Sequence, residues 1–194
     1  MKETMKKLLL AAAALCACIG MNAQTSQARN EFSVGYSQFT VLEGAYLFGG
    51  IFGAAFSLGH FTFDNTVMTG ALSFEYHHYT NEWFGYGGLV AAEYITSDSY
   101  SVDGDGNKTP NGKYNMGLAS AAPLVIGKWL RRKKFNLYSK LAAGIGLTFD
   151  GQVIPFFQVS PLCIDFGPSQ GWNGFVETGF GMQGLVTAGI KKKF

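Results

Sequence analysis

The sequence predicts an all-β chain whose eight strands close into an antiparallel barrel, and three observations lead to it. Only 14% of the 194 residues are charged, against about 25% in ordinary soluble domains. There are 26 glycines, together with 17 Phe, 9 Tyr and 3 Trp. Apolar residues alternate with small or polar ones at a period of two along most of the chain. So many aromatic residues exclude a disordered chain, and a net charge of +2 gives no reason to expect a nucleic-acid partner.

The N-terminal segment has the pattern of a secretory signal peptide. Lys2, Lys6 and Lys7 precede an uncharged run over residues 8–19, and Ala23 offers a small residue for cleavage. The run is shorter than the roughly 20 residues that span a bilayer. We therefore predict a signal peptide over residues 1–23 and a barrel domain over residues 24–194.

Cleavage after Ala23 removes three lysines and one glutamate, so the mature chain is formally neutral. The alternative is a lipoprotein signal in which Cys18 is the acylated residue. With ordinary cleavage, Cys163 is the one cysteine that remains, and no intramolecular disulfide is possible.

The eight predicted strands follow from the alternation. In the clearest segment, Leu141 and Ile145 lie on one face and Lys140 and Gly144 on the other. The segments, in order, are residues 31–39, 66–79, 84–96, 114–128, 137–149, 153–165, 172–180 and 186–194.

Two kinds of barrel bury one face of such strands, and they are inverse to each other. A soluble lipocalin-like barrel turns its apolar face inward, whereas a membrane barrel turns it toward lipid. The second face here is mostly Gly, Ala, Ser and Thr, while soluble surfaces are about 25–35% charged. Aromatic residues such as Trp83 and Trp172 also lie near strand ends, where membrane barrels carry aromatic girdles. The membrane barrel is therefore favoured.

The connections assign the two ends of the barrel. Long links are expected over residues 39–65 and 97–112, and the others are short, as in barrels whose outer loops are the longer set. With the N-terminus on the periplasmic side, the basic residues at 131–134 and 191–193 form a periplasmic rim. Acidic residues including Glu43 and Asp98 then lie at the outer end.

Four charged residues fall on the small, polar face of their strands: Glu75, Glu93, Lys140 and Glu177. A lysine that faced mid-bilayer lipid would cost about 2–4 kcal/mol, which favours an inward direction for Lys140. The lumen of an eight-stranded barrel is just wide enough for side chains. We expect these residues to form a hydrogen-bonded, ion-paired network in the interior, with a gated ion path as the functional alternative.

Together with the leader and the alternating strands, the C-terminal segment 184–194 resembles the small outer-membrane β-barrel proteins of Gram-negative bacteria, the OmpX-like and OmpA-transmembrane-like kind. The resemblance implies an outer-membrane location, lipid and lipopolysaccharide as neighbours, and a monomer. It also implies that Phe194 is the signal read by the assembly machinery, although Lys192 departs from the usual pattern. A structural or surface-interaction role with a filled lumen is expected; a narrow pore or a lipid-modifying enzyme is the alternative.

The histidines are the residues on which an enzyme would depend. His77 shares a strand face with Ser73 and Glu75, and hydrolysis needs a serine that a histidine activates and a carboxylate orients. His77 and His78 lie beside the predicted turn at Asn81, away from the outer leaflet. We expect both to be rim residues, and we predict no catalytic, cofactor-binding or metal-binding residues.

Two motif matches have simpler explanations. Residues 179–184 spell the dinucleotide-binding fingerprint, but a strand follows where that motif needs a helix, so we predict a hairpin turn. Residues 103–107 resemble the start of a calcium loop, yet Lys108 and Tyr114 occupy positions that need Gly and Glu. A plain outer loop is expected there.

One apolar segment, residues 45–58, is not required by the barrel. Phe48, Ile51, Phe52 and Phe56 recur at roughly helical spacing. We predict a short helix or folded lid that caps the barrel mouth or lies on the outer leaflet, since an exposed apolar run of this length would otherwise be a sticky patch.

Overall fold

A computed structural model describes residues 29–56, 61–103, 107–132 and 134–194, with side chains described outside 50–64. The predicted signal peptide, together with His60, Asp105 and Lys133, lies outside the described residues. The elements in this part of the chain are β1 (Asn30–Gln38), α1 (Val41–Phe56), β2 (Phe61–Tyr79), β3 (Phe84–Val102), β4 (Lys108–Arg131), β5 (Phe135–Thr148), β6 (Val153–Phe166), β7 (Gly171–Gly181) and β8 (Val186–Lys193).

The strands form one closed barrel in sequence order, and each neighbouring pair is antiparallel. Closure occurs where β1 pairs with β8. There the backbone N–H groups of Asn30 and Phe194 each donate to the other's carbonyl, at 3.0 and 2.9 Å. The prediction of an all-β, eight-stranded antiparallel barrel is confirmed for the described residues.

The barrel has two different ends. The terminal end carries Asn30, Phe194 and the turns after β2, β4 and β6; the helix end carries α1 and the turns after β3, β5 and β7. The first turn at the terminal end is closed by Asn81, whose Oδ1 accepts from the backbone N–H groups of Trp83 and Phe84 at 2.8 Å each. This is the local bonding that makes Asn a turn residue.

The predicted long loop over residues 97–112 is wrong. β3 continues to Val102 and β4 begins at Lys108, and the two strands stay paired from Tyr100 opposite Pro110 to Val102 opposite Lys108. The segment is polar on both faces, so the alternation that marks a half-buried strand is missing. Backbone hydrogen bonds of a hairpin do not require that alternation, and the strands extend beyond the barrel wall.

As a result, the wall is of unequal height. β2 and β3 have 19 residues each and β4 has 24. On the opposite side β7 has 11, β8 has 8 and β1 has 9. At the helix end the wall therefore has a high side, formed by β2 to β4, and a low side, formed by β7, β8 and β1.

The two faces of the wall differ sharply in chemistry. Large apolar side chains are exposed on the outside, including Ile145 at 62%, Val153 at 67% and Ile190 at 54%. On the outward face of β5 to β8, all of whose residues are described, Lys192 is the one charged side chain. The inward face instead carries small, polar and charged residues. No helix in the described ranges has both the length and the apolar character needed to cross a bilayer.

Small residues on the inward face let the strands approach closely. A Cβ added at Gly87 would lie 1.7 Å from the Tyr76 carbonyl oxygen, and one at Gly144 would lie 2.2 Å from the Ala121 oxygen. Both positions therefore require glycine for reasons of space. The high glycine content follows in part from this narrow interior.

Candidate functional site

The interior of the barrel is the candidate site, because its charged residues are buried and in contact. In the half nearer the terminal end, nine titratable side chains form what we call the interior ion network. Its described members are Glu31, Glu75, His77, Lys128, Lys140, Asp165, Glu177, Lys191 and Lys193. They come from every strand except β3, and four carboxylates match four lysines.

Lys140 lies at the centre of one half of this network. Its Nζ is 2.6 Å from Glu75 Oε1 and 2.5 Å from Glu177 Oε2. Tyr138 donates to the other oxygen of Glu177 at 2.6 Å, and Gln183 Nε2 donates to Glu75 at 2.7 Å. Each charged group thus meets the hydrogen-bond partners that a buried charge requires.

Glu31 is the centre of the other half. Lys128 Nζ lies 2.5 Å from Glu31 Oε1 and 3.6 Å from the ring centroid of Tyr79. His77 connects the halves, with Nε2 at 2.9 Å from Glu75 Oε2 and Nδ1 at 3.6 Å from Glu31 Oε2. The histidine ring is therefore held between two carboxylates that belong to different strands.

Two lysines predicted on the periplasmic rim are instead part of the interior. Lys193 Nζ is 2.6 Å from Asp165 Oδ1, and Lys191 Nζ is 3.8 Å from Asp165 Oδ2. Both lysines are on the inward face of β8 and are almost fully buried. They offset buried carboxylates rather than making the exposed rim basic, and Lys192 between them points outward over Trp172.

Of the four residues predicted to share an interior network, Glu75, Lys140 and Glu177 are in contact and Glu93 lies elsewhere. Glu93 Oε2 accepts a hydrogen bond from Thr40 Oγ1 at 2.6 Å, near the helix end. Its Oε1 is buried and has no hydrogen-bond partner among the described residues. The reason is position along the strand: Glu93 is opposite Ala71, whereas Glu75 is opposite Leu89.

Thr40 and Glu43 form a capping box that fixes the start of α1. The backbone N–H of Glu43 donates to Thr40 Oγ1 at 3.0 Å, and the backbone N–H of Thr40 donates to Glu43 Oε2 at 3.0 Å. Both side chains also bond to the wall, Thr40 to Glu93 and Glu43 Oε1 to the backbone N–H of Gly70 at 3.2 Å. The T-x-x-E spacing of this box is visible in the sequence, but our sequence prediction did not include it.

The first turns of α1 close the helix end of the lumen. Leu42 is buried in an apolar cluster with Leu89, Ile95, Leu118 and Phe156. One turn later, Tyr46 donates to Ser97 Oγ at 2.5 Å. The predicted segment 45–58 is thus helical as far as Phe56, and its helix begins four residues earlier, at Val41. Residues 57 and 58 lie outside the described part.

One of the two histidines expected on the rim lies in the interior instead. His77 is fully buried, because its strand parity points it inward between Glu31 and Glu75. His78 points outward, with its ring 5.5 Å from that of Tyr86. The Ser73 hydroxyl donates to Gly35 O and accepts from Gln183, whereas His77 contacts the carboxylates of Glu31 and Glu75.

The two motif matches lie where one strand ends and the next begins. Residues 179–184 pass from β7 into the hairpin before β8, as predicted, with Gly181 and Gly184 at φ of 145° and 128°. Asp103 Oδ1 accepts from the backbone N–H of Asn107 at 2.8 Å across the β3–β4 turn. No group of three or more potential metal-ligating side chains lies within the described residues.

Known proteins do not extend this description. Comparison of the chain with protein-family models, with curated proteins and with solved structures finds no significant match.

Proposed function

We propose that the chain is an integral outer-membrane β-barrel protein with a structural or surface-interaction role and a side-chain-filled lumen. The observation that carries the proposal is the reversal of the usual faces. Apolar side chains such as Leu141, Ile145 and Val153 are more than half exposed, whereas Lys140 and Glu75 are buried. An exposed apolar surface of this extent is rare on soluble monomers, and it is the arrangement that a barrel surrounded by lipid requires.

The contents of the lumen support a structural role over an open pore. The interior ion network fills the half nearer the terminal end, and the first turns of α1 occupy the helix end. Between Glu31 and Lys128, and between Lys140 and its two carboxylates, the contacts are direct at 2.5–2.6 Å. An ion that passed through would have to displace these pairs.

In this proposal the low-charge outer wall contacts membrane lipid and lipopolysaccharide. β8, with Phe194 at its end, is the segment that the assembly machinery recognises. The protein acts as a monomer, needs no cofactor and carries out no catalysis. The resemblance of the C-terminal segment to that of small outer-membrane barrels supports this assignment.

The experiment is expression of the full-length chain, with its predicted signal peptide, in a Gram-negative host, followed by fractionation and by gel mobility with and without boiling. We expect the protein in the outer-membrane fraction, with a mobility that changes on heating because a closed barrel resists detergent until heated. A heat-independent band in the soluble fraction would contradict the proposal. Discrete, reproducible conductance steps from the purified protein in planar bilayers would instead favour the narrow pore.

A further inference from the structure

An apolar groove of about 560 Å³ lies between α1 and the low side of the barrel wall. One side is formed by the helix, with Val41, Leu47 and Phe48, and the other by Phe180 and Leu185 near the β7–β8 turn. Its volume is within the roughly 300–1,000 Å³ of small-molecule sites.

The lining is almost entirely apolar. Leu47, Phe48 and Phe180 are 50%, 65% and 59% exposed, and together they leave a large uncovered hydrophobic surface. Three polar residues also line it. The Gln38 amide donates to the Tyr36 hydroxyl, and the polar atoms of Thr40 and Glu43 are engaged in the capping box and the wall. Among the described lining residues there is no lysine or arginine, so the groove suits a hydrocarbon chain and not a phosphate group.

Phe39, which lines the groove, has an unusual backbone conformation. Its φ is 60°, in the left-handed region that bulky residues seldom adopt. The ring is 64% exposed and lines the groove. Strain of this kind persists where the surrounding structure requires it, and here the turn from β1 into α1 presents an aromatic ring to the groove.

The groove is continuous with the outward apolar wall. The Phe180 ring lies 5.9 Å from that of Phe157 on β6, which belongs to that wall. The bordering strands are the shortest, β8 with 8 residues and β1 with 9, whereas a membrane-spanning strand needs about 9–11. On this side, lipid that surrounds the wall would reach the helix.

We propose that this groove binds one acyl chain of a membrane lipid. The inference rests on the proposed membrane location and adds a specific, slowly exchanging lipid to it. A peptide segment is a poorer occupant, because its backbone N–H and C=O groups would need partners that an apolar lining does not provide.

The test uses two glycines of α1 as a matched pair. A Cβ at Gly44 or at Gly49 would meet no atom within 4 Å, so both positions accept a side chain. Gly44 lines the groove and Gly49 does not. Gly44→Leu should therefore fill the groove, and Gly49→Leu should leave it open. Leu47→Asp, at an exposed position, places a charge in the groove without filling it.

The protein and these variants are reconstituted in vesicles of palmitoyl-oleoyl phosphatidylethanolamine and phosphatidylglycerol, extracted in detergent and measured by native mass spectrometry. We expect one retained lipid on the wild type and on Gly49→Leu, and a several-fold loss of that species with Gly44→Leu and Leu47→Asp. Equal lipid retention in all four proteins, or none in the wild type, would overturn the inference.

Flotation of the same vesicles separates this inference from the proposed function. If the protein floats with the vesicles and its mobility changes on heating but no lipid is retained, only the groove assignment fails. If the protein does not float, the membrane location fails as well.

Discussion

At the scale of single residues, the interior depends on how completely each buried charge is paired. Lys140 has two carboxylate partners at 2.5–2.6 Å, and Lys193 is paired with Asp165 at 2.6 Å. Removal of one partner from such a group leaves a buried charge uncompensated, which costs far more than the pair contributes. The network is therefore more sensitive to single substitutions than to the loss of a whole pair.

Lys140→Met is expected to destabilise the barrel by about 3–5 kcal/mol, because Glu75 and Glu177 would remain buried without their cation. The measurement is the denaturant midpoint of the refolded protein in detergent. Lys113→Met, at an exposed position of β4, is the control and should change stability by less than about 0.5 kcal/mol. Equal effects of the two substitutions would show that the pairs around Lys140 contribute little.

Adjacent glycines on β3 give a second comparison. Gly87→Ala would place a Cβ 1.7 Å from the Tyr76 carbonyl oxygen, whereas Gly88→Ala would meet no atom within 4 Å. We expect Gly87→Ala to cost about 1–3 kcal/mol or more through overpacking and Gly88→Ala to be nearly neutral. The temperature at which gel mobility changes would report the difference in stability. An unchanged temperature for Gly87→Ala would mean that the pairing of β2 with β3 can shift to make room for the added methyl group.

Strand parity allowed the direction of many side chains to be predicted, because alternation is a property of the chain itself. Identifying which charges meet is harder: Lys140 and Glu75 are 65 residues apart and on strands that are not neighbours. The same limit applies to His77. Its closeness to the turn at Asn81 predicts a rim position, but its contact with Glu31 of β1 joins residues far apart in the sequence. Glu93 points inward, as its parity predicts, but it lies further from the terminal end than Glu75 and bonds to Thr40 instead.

At the scale of elements, α1 is an insertion between β1 and β2 that lies outside the ladder of strands. Among the described residues, Thr40, Glu43 and Tyr46 make polar contacts with β2 and β3. Leu42 adds the apolar contact with the interior. The closed ladder of strands does not depend on the helix for any of its backbone pairs.

Replacement of residues 41–56 with a flexible Gly-Ser linker should leave a barrel that still folds and still changes mobility on heating. We also expect no discrete conductance from this variant, since the interior ion network lies in the other half of the lumen. Failure to fold would show that the helix is part of the wall's stability. Conductance that appears only in the variant would identify α1 as the sole barrier.

The strand bounds show what an apolar pattern can and cannot predict. β5 to β8 begin and end close to the predicted positions, because apolar outward residues alternate with small or polar inward residues along their whole length. β3 and β4 extend past the predicted ends, since residues beyond the wall have no apolar face to mark them. The helix was expected from the spacing of Phe48, Ile51 and Phe52, but its start at Val41 depends on the capping box and the wall contacts.

At the scale of the whole molecule, the even strand number places both chain ends of the barrel at the terminal end. The β3–β4 hairpin extends from the helix end, on the opposite side. In the proposed membrane orientation the terminal end is periplasmic. The hairpin and α1 are then exposed at the cell surface.

Single cysteines test this orientation. Thr109→Cys on the hairpin should react with a membrane-impermeant maleimide on intact cells, whereas Ser169→Cys, in the turn after β6, should react only after the outer membrane is permeabilised. The native Cys163 is fully buried, so the unmodified barrel is expected to remain unlabelled. Labelling of Ser169→Cys alone on intact cells would reverse the orientation.

The uneven wall has a consequence for how such a barrel would sit in a bilayer. Eight residues of β8, at about 3.3 Å each and inclined by about 40°, rise about 20 Å. That is less than the roughly 25 Å apolar band of an outer-membrane barrel, while the strands on the opposite side exceed it. Hydrophobic mismatch on one side only is relieved when the barrel axis tilts or the bilayer thins locally. The short strands would thus give the barrel axis a preferred direction of tilt in the membrane, toward the side on which the first and last strands meet.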